Sequence, residues 1–214
     1  MGAPSRSLLA TELSAADPAL ARLIDIIGPP PARRPQRVAD RFGSLARAIL
    51  HQQLATQAAA TITGRVRDAM GGSISSTGLL ELDDGILRSC GVSGAKQAAL
   101  MDLSNRVEDG RLDLHALGRL DDAEVVTQLS AVRGIGRWTA EMFLMGPLGR
   151  HNVWPVGDLG VRSGWGILKR LDAAPTPAAL EDAADHLVPW RSSVAWCCWR
   201  AVDLARENGG TLPY

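Results

Sequence analysis

The stretch Leu129-Ser-Ala-Val-Arg-Gly-Ile-Gly-Arg-Trp-Thr-Ala140 places two glycines, Gly134 and Gly136, between two helix-like runs. Glycine accepts backbone conformations that other residues avoid, so this pattern predicts a tight turn between two helices. The first N–H groups of the second helix lack helical acceptors and lie at the positive end of its dipole. They would hold a phosphate oxygen without any net positive charge. The alternative is a plain interhelical turn with Ile135 packed inward.

Composition describes an ordinary folded chain that fits one large domain or two small ones. Of its 214 residues, 46% are hydrophobic and 21% are charged. No apolar run is long enough to cross a bilayer, so a transmembrane helix is excluded. Twenty-three basic residues balance twenty-three acidic residues, which excludes a strongly basic surface over the whole molecule. Any contact with nucleic acid is therefore expected to be local.

Apolar residues recur at helical spacing along most of the chain, and no alternating strand pattern occurs. Helix starts are indicated by the capping box Asp121–Glu124 and by Thr176 before Pro177, and Ser44 is a further candidate N-cap. We predict an all-α protein of roughly ten short helices.

We divide the chain into three parts. Residues 1–41 form an N-terminal segment with a polar tail, one short helix and a proline-rich connector at Pro29–Pro31. Residues 42–208 form the helical core, and residues 209–214 form a C-terminal tail.

The three cysteines, Cys90, Cys197 and Cys198, lack the spacing of a zinc or iron–sulfur site. We therefore expect reduced thiols, no metal and a cytoplasmic location, because the N-terminus carries no secretion signal. The chain has two lysines, Lys96 and Lys169, and we expect both to be solvated at the surface.

Two further segments complete the pattern: Val153-Trp-Pro-Val-Gly-Asp-Leu-Gly-Val-Arg162, and Pro189-Trp-Arg-Ser192 before the last helix. Together with the Gly-Ile-Gly turn, they resemble the helix-hairpin-helix (HhH-GPD) superfamily of DNA glycosylases over about residues 44–208. The alkylation-repair branch, the 3-methyladenine DNA glycosylase II type, is the most similar. The resemblance implies a two-lobed helical fold, here without the N-terminal β domain of some relatives.

The resemblance places the catalytic carboxylate at Asp158, facing a cleft between the lobes together with the hairpin. The alternative role is that of a helix N-cap, since Asp158 precedes a helical run. Both roles are compatible. A carboxylate at a helix N-terminus is electrostatically favoured, and near a sugar it would stabilise the positive charge that develops as the base departs.

Relatives that cleave the DNA strand carry a lysine at the position of Trp138, and indole forms no Schiff base. We therefore expect a monofunctional enzyme. The resemblance also places Trp138, Trp190 and Met142 around the base, where an indole face attracts a cationic alkylpurine. Core packing is the alternative for both tryptophans. We assign the other four to packing: Trp154, Trp165, Trp196 and Trp199.

Base flipping leaves a gap in the duplex, and Gln53 is the first candidate to fill it, with Leu54 second. The alternative is that Gln52 and Gln53 cap a helix end. The DNA-binding hairpin would comprise Arg133, Gly134, Ile135, Gly136 and Arg137, whose arginines, with Arg162, would contact phosphates. Solvated surface is the alternative for these arginines.

We expect hydrolysis of the N-glycosidic bond of alkylated purines, 3-methyladenine above all, in damaged double-stranded DNA. The alternatives are a glycosylase for other damaged bases, a non-catalytic DNA-binding module and a purely structural helical protein. The resemblance implies no cofactor and no iron–sulfur cluster, but it allows a structural cation at the hairpin carbonyls. We expect a monomer without membrane association.

Overall fold

A computed structural model of the chain describes residues 4–83 and 85–214, and every regular element in these residues is helical. Two short 3₁₀ turns lie at Ala116–Gly118 and Asp185–Leu187. The α-helices are α1 (Arg6–Ala16), α2 (Pro18–Ile27), α3 (Val38–His51), α4 (Thr56–Ala69), α5 (Ser76–Glu81), α6 (Ile86–Ser89), α7 (Gly94–Glu108), α8 (Asp122–Ser130), α9 (Arg137–Met145), α10 (Leu159–Lys169), α11 (Pro177–Glu181) and α12 (Arg191–Glu207).

The chain forms two compact units. The first combines both ends of the chain, Met1–Pro35 and Gly149–Tyr214, and the second is the continuous segment Gln36–Leu148. Residues 36–41, which the sequence analysis placed in the N-terminal segment, therefore belong with the second unit. Within the described residues, no helix combines the length and the hydropathy that a membrane span requires.

In the first unit, α10 packs against α12 at very short range. A Cβ atom at Gly164 would lie 2.0 Å from the carbonyl oxygen of Cys198, and one at Gly160 would lie 2.8 Å from Trp199 Cδ1. Glycines at i and i+4 share one face of a helix, so this face brings the two backbones together. The contact fixes the start of α10 against the middle of α12.

Residues Arg6–Ala16 form helix α1, so the prediction of a polar tail over this stretch was wrong. Ser5 caps α1 by accepting a hydrogen bond from the N–H of Leu8, while Leu9 and Leu13 are fully buried. Leucines at i and i+4 give a narrow apolar stripe, which is a weak signal in so polar a helix. Packing within the unit, not propensity, makes this segment helical.

Lys169 is held inside the first unit, contrary to the expectation of a solvated side chain. Its ammonium group pairs with buried Asp17 and lies 4.8 Å from the ring centroid of Trp165. Burial alone would raise the pKa of Asp17, but the Lys169 hydrogen bond and the N–H groups of Ala19 and Leu20 outweigh it and lower that pKa. This ion pair joins the α1–α2 junction to the end of α10.

In the second unit, α3 starts six residues before Ser44, so the predicted N-cap at Ser44 was wrong. The Ser44 hydroxyl instead lies within α3 and donates to the carbonyl oxygen of Asp40, one turn earlier. Phe42, Leu45 and Ile49 form the buried stripe of this helix. Polar residues lie between these positions, so the apolar spacing of the first helical turn is not evident in the sequence.

Other helix boundaries match the prediction. The capping box is confirmed, because Glu124 N donates to Asp121 and Asp121 N donates to Glu124. Thr176 caps α11 at the predicted position, although that helix ends earlier than expected, at Glu181. The last helix spans the predicted range Arg191–Glu207.

Candidate functional site

The hairpin lies in the second unit, between the end of α8 and the start of α9. Gly134 has a φ of +78°, the left-handed region that glycine occupies without strain. Ile135 is 4% exposed, which confirms its inward packing. Gly136 is the N-cap of α9 and supplies no side-chain cap. The N-terminus of α9 thus offers backbone N–H groups and the positive end of a helix dipole.

Three contacts hold the hairpin in place. Asp102 Oδ2 on α7 accepts the backbone N–H of Arg133 at 2.8 Å and Arg106 Nε at 2.9 Å. Gln52 Nε2 donates to the carbonyl oxygen of Gly134 at 2.8 Å. A Cβ at Gly134 would lie 3.2 Å from Ala99, so the turn rests directly on α7.

The carboxylate of Asp102 is fixed in its charged form. Its partial burial works against the charge, but the N–H of Arg133 and the guanidinium of Arg106 hold the pKa of Asp102 below its ordinary range. Asp102 was missed in the sequence analysis because it lies 31 residues from Arg133, and no local pattern marks the contact.

The hairpin arginines are exposed. Arg137 Nε pairs with the buried carboxylate of Glu141 at 2.8 Å, while the arginine side chain is 74% exposed. The guanidinium is therefore anchored at one end and still reaches solvent. Arg162, the third arginine expected to contact phosphate, donates Nε to the carbonyl oxygen of Pro175 at 2.7 Å and holds a loop of its own unit.

A cavity of about 490 Å³ opens beside the hairpin within the second unit. Its volume lies in the range of small-molecule sites. Trp138 is 51% exposed and lines this cavity with Met142, so core packing of Trp138 is excluded. The lining residues are Ala48, His51, Gln52, Gln53, Gly134, Trp138, Thr139 and Met142.

The candidate wedge lies between α3 and α4, at the rim of the same cavity. Gln53 is exposed and has a φ of +55°, a left-handed conformation that is strained for a residue with a Cβ. Leu54 is 40% exposed. Gln52, by contrast, is tied to the hairpin, so the two glutamines have different structural roles.

Asp158 belongs to the first unit and is the N-cap of α10. Its Oδ1 accepts the N–H of Val161 at 2.7 Å and the Nε1–H of Trp199 at 3.0 Å. The N-cap role is therefore confirmed. Hydrogen bonds to a carboxylate are strong and directional, so these two donors orient the group as well as stabilise its negative charge.

Trp199 was assigned to packing, and this assignment missed its hydrogen bond to Asp158. The two residues are 41 positions apart and lie on different helices. The absence of a side chain at Gly160 permits the contact, because a Cβ there would lie 2.8 Å from the Trp199 ring. The glycine after Asp158-Leu159 was the signal available in the sequence.

The segment around Trp190 holds the loop that precedes Asp158. Ser192 Oγ donates to the carbonyl oxygen of Arg150 at 2.8 Å and accepts the N–H of Val153 at 3.0 Å. Trp190 lies edge-on to His151, with ring centroids 5.9 Å apart. Trp190 belongs to the first unit and does not line the cavity beside Trp138.

Packing is confirmed for two of the other tryptophans. Trp154 and Trp165 are buried edge to face, with centroids 5.6 Å apart, and Trp154 Nε1 donates to the carbonyl oxygen of Leu180.

The cysteines are buried free thiols. Burial raises the pKa of Cys197 to about 12 and that of Cys198 well above its ordinary value, so both remain protonated. Within residues 4–83 and 85–214, no cluster of three or more His, Cys, Asp or Glu side chains is arranged to hold a metal.

A cation at the hairpin would be bound by backbone carbonyl oxygens. The oxygen of Gly134 already accepts the Gln52 amide, and that of Val132 accepts the N–H of Ile135. Two of the hairpin carbonyls are thus engaged in hydrogen bonds, and a cation at this turn stays a prediction.

Comparison with known proteins places these features in a family. Residues 46–189 match the model described as HhH-GPD superfamily base excision DNA repair protein. DNA-3-methyladenine glycosylase 1 of Schizosaccharomyces pombe is 31% identical over 201 residues, covering 90% of this chain and 86% of the relative.

Two solved structures are also similar. The 3-methyladenine DNA glycosylase of S. pombe in complex with abasic DNA superposes with a TM-score of 0.81 at 30% identity, covering 92% of this chain and 97% of that one. The DNA-3-methyladenine glycosidase of Bacillus halodurans gives a TM-score of 0.84 at 31% identity, with 99% and 97% coverage. The chain therefore belongs to the HhH-GPD superfamily of base excision DNA repair proteins.

Proposed function

We propose that this chain is a monofunctional DNA glycosylase that hydrolyses the N-glycosidic bond of alkylated purines, 3-methyladenine above all, in double-stranded DNA. The observation that carries the proposal is the exposed indole of Trp138 in a cavity beside the hairpin. The names of the S. pombe and B. halodurans relatives support the same substrate.

A cationic base suits a cavity that is lined by an exposed indole. Alkylation at N3 or N7 gives the purine a positive charge, which attracts it to an indole face by about 0.5–2 kcal/mol. The same charge weakens the bond to the sugar, so normal neutral bases that enter the cavity react slowly. Met142, on the same wall of the cavity as Trp138, would contact the base and affect its fit.

Asp158 would supply the negative charge at the sugar. As the base departs, positive charge develops at C1′, and a fixed carboxylate stabilises it. The N–H groups of Val161 and Trp199 orient that carboxylate before substrate arrives. Such preorganisation lowers the barrier because no side chain must reorient during the reaction.

Both lysines are engaged elsewhere, which supports the absence of strand cleavage. Lys96 Nζ donates to the carbonyl oxygen of Leu50 at 2.7 Å, and Lys169 pairs with Asp17. The position that carries the lysine in strand-cleaving relatives holds Trp138. Water would therefore be the nucleophile, and the product would be an abasic site in an intact strand.

DNA would be held through its backbone. The N-terminus of α9, with Arg133 and Arg137 beside it, suits phosphate contacts that do not depend on base sequence. Gln53 and Leu54 would fill the gap left by the flipped nucleotide. Trp190, which does not line the cavity beside Trp138, is proposed from the family resemblance as a second indole for the base. A chromosomal substrate implies that the protein acts in the cytoplasm, on the nucleoid.

The test is incubation of the protein with methylated duplex DNA and chromatographic identification of the free bases. We expect 3-methyladenine, and DNA strands that break only after alkali treatment. Release of oxidised or deaminated bases instead, from DNA carrying those lesions, would assign a different glycosylase specificity. Tight binding to an abasic-site analogue without release of any base would favour a non-catalytic module.

A further inference from the structure

His51 occupies a distinctive position next to the base cavity. It is the last residue of α3 and lines both the 490 Å³ cavity and a neighbouring cavity of about 300 Å³. Ala48, Thr139 and Met142 also contribute to both cavities. His51 thus borders both cavities.

The Nε2 atom of His51 is buried and has no hydrogen-bond partner among the residues that the structure describes. A buried polar atom of this kind costs free energy unless a ligand or a water satisfies it. In most proteins such an atom is paired within the fold, so an unpaired one on a residue that lines a cavity suggests a ligand contact. The ring offers one donor and one acceptor while it is neutral.

Burial and the positive charges near His51 favour its neutral form. Burial, followed by the positive charges of Arg47 on its own helix and Lys96 on α7, lowers the pKa of His51 from its ordinary value of 6.5. On α9, the residues that line the cavity are Trp138, Thr139 and Met142, and none of them is charged. A neutral imidazole beside the cavity does not repel a cationic base.

We infer that His51 is a specificity-determining residue that contacts the edge of the extruded purine, with Nε2 in a hydrogen bond to the base. The inference rests on the proposed function and deepens it. Neutral His51 admits the positively charged alkylpurine and helps to distinguish one alkylation site from another. Acidification converts the ring to imidazolium, which repels the same substrate.

Two substitutions separate the effect of the His51 hydrogen bond from the effect of its protonation. His51→Phe keeps a flat ring and removes the nitrogens, whereas His51→Gln keeps an amide for hydrogen bonding and removes titration near neutral pH. Single-turnover release of 3-methyladenine and of 7-methylguanine from the same methylated DNA is measured between pH 5.5 and 8. His115→Gln, an exposed histidine of the second unit, is the matched control.

We expect His51→Phe to change the ratio of the two release rates about tenfold, since loss of one hydrogen bond to a bound group has at least that effect. His51→Gln should keep a ratio near that of the wild type. On acidification, the wild type should lose more activity than His51→Gln, because imidazolium forms only in the former. Circular dichroism establishes that each variant is folded, and His51→Gln alone decides the pH effect if His51→Phe does not fold.

An active wild type whose release ratio and pH profile are unchanged in folded variants would overturn the role of His51 and leave the proposed function intact. A wild type that releases no alkylated base would overturn both.

Discussion

The indole of Trp199 reaches the Asp158 carboxylate from a different helix, and this contact defines the geometry of the candidate catalytic group. Val161 N and Trp199 Nε1 both donate to the same oxygen, Oδ1. A rotation of the carboxylate would break both bonds. Asp158 is therefore both a helix cap and a preoriented charge, and neither role competes with the other.

Trp199→Phe should slow catalysis without weakening DNA binding. Phenylalanine keeps an aromatic ring but removes the donor to Asp158. A hydrogen bond to a charged acceptor is worth about 1.5–3 kcal/mol, so we expect the single-turnover rate of base release to fall about tenfold or more.

Trp196→Phe is the matched control, because Trp196 lies three residues earlier on α12 and has a similar intermediate burial. It should release bases at the wild-type rate. Equal rates for Trp199→Phe and Trp196→Phe would show that the indole N–H does not position the carboxylate.

At the scale of elements, the hairpin is a rigid turn held by side chains of α3 and α7. Its backbone alone does not determine where the N-terminus of α9 points. Asp102 fixes the residue before the turn through the Arg133 N–H, and Gln52 fixes the turn itself through the Gly134 carbonyl.

Asp102→Ala should weaken DNA binding more than it slows chemistry. The substitution removes the acceptor of the Arg133 N–H and the partner of Arg106, so the hairpin gains freedom that binding must then restrict. We expect the Kd for duplex DNA to rise about tenfold, which corresponds to about 1.4 kcal/mol, with little change in the rate at saturating DNA.

Asp68→Ala provides the comparison. It removes the same charge from an exposed pair with Arg67 and should leave Kd unchanged. Fluorescence anisotropy of labelled duplex measures both variants. Equal affinities for the two variants would argue against a positioning role of Asp102.

The α10–α12 contact depends on glycine. Gly164→Ala would place a Cβ 2.0 Å from the Cys198 carbonyl oxygen. Because this oxygen belongs to the backbone, no side-chain rotation relieves the clash. We expect a loss of about 3 kcal/mol or more in the free energy of unfolding, or failure to fold.

Gly64→Ala is the control for this prediction, since a Cβ at this α4 position meets nothing within 4 Å. It should raise stability by up to about 1 kcal/mol through helix propensity. Urea unfolding compares the two. Similar unfolding midpoints would contradict the close packing of α10 on α12.

At the scale of the whole molecule, sequence-based prediction succeeded where the interacting residues are close together in the chain. The capping box at Asp121–Glu124 and the Thr176–Pro177 start are local patterns, and both lie where predicted. The wedge candidates and the indole beside the hairpin came from the family resemblance, and the structure brings Gln53 and Trp138 to one cavity.

Long-range contacts were beyond such prediction. Gln52 and Gly134 are 82 residues apart, Trp199 and Asp158 are 41 apart, and Asp102 and Arg133 are 31 apart. Lys169 showed no pattern that indicates an ion pair with Asp17, because the pair forms only when both ends of the chain fold into one unit.

That ion pair predicts a pH dependence of stability. The folded-state pKa of Asp17 is lowered, so its contribution is present above the unfolded pKa of about 3.9 and is lost as pH falls through the lower folded value. Lys169→Met leaves the buried Asp17 carboxylate without its lysine, beside His186 and the N–H groups of Ala19 and Leu20, and should cost about 3 kcal/mol at neutral pH.

The double variant Asp17→Asn with Lys169→Met should be more stable than Lys169→Met, because it removes the uncompensated charge. Urea unfolding at pH 7 and pH 3 measures these differences. If Lys169→Met were as stable as the wild type at pH 7, the ion pair would contribute nothing to stability.

Base release by Asp158→Asn, measured beside its affinity for duplex DNA with an abasic-site analogue, is the most direct test of the catalytic role of this carboxylate. Asparagine keeps an oxygen for the N–H groups of Val161 and Trp199 but carries no charge. We predict that single-turnover release of 3-methyladenine falls on the order of 10³-fold, while Kd changes by less than about threefold. Release at the wild-type rate would contradict the assignment of Asp158 as the catalytic residue.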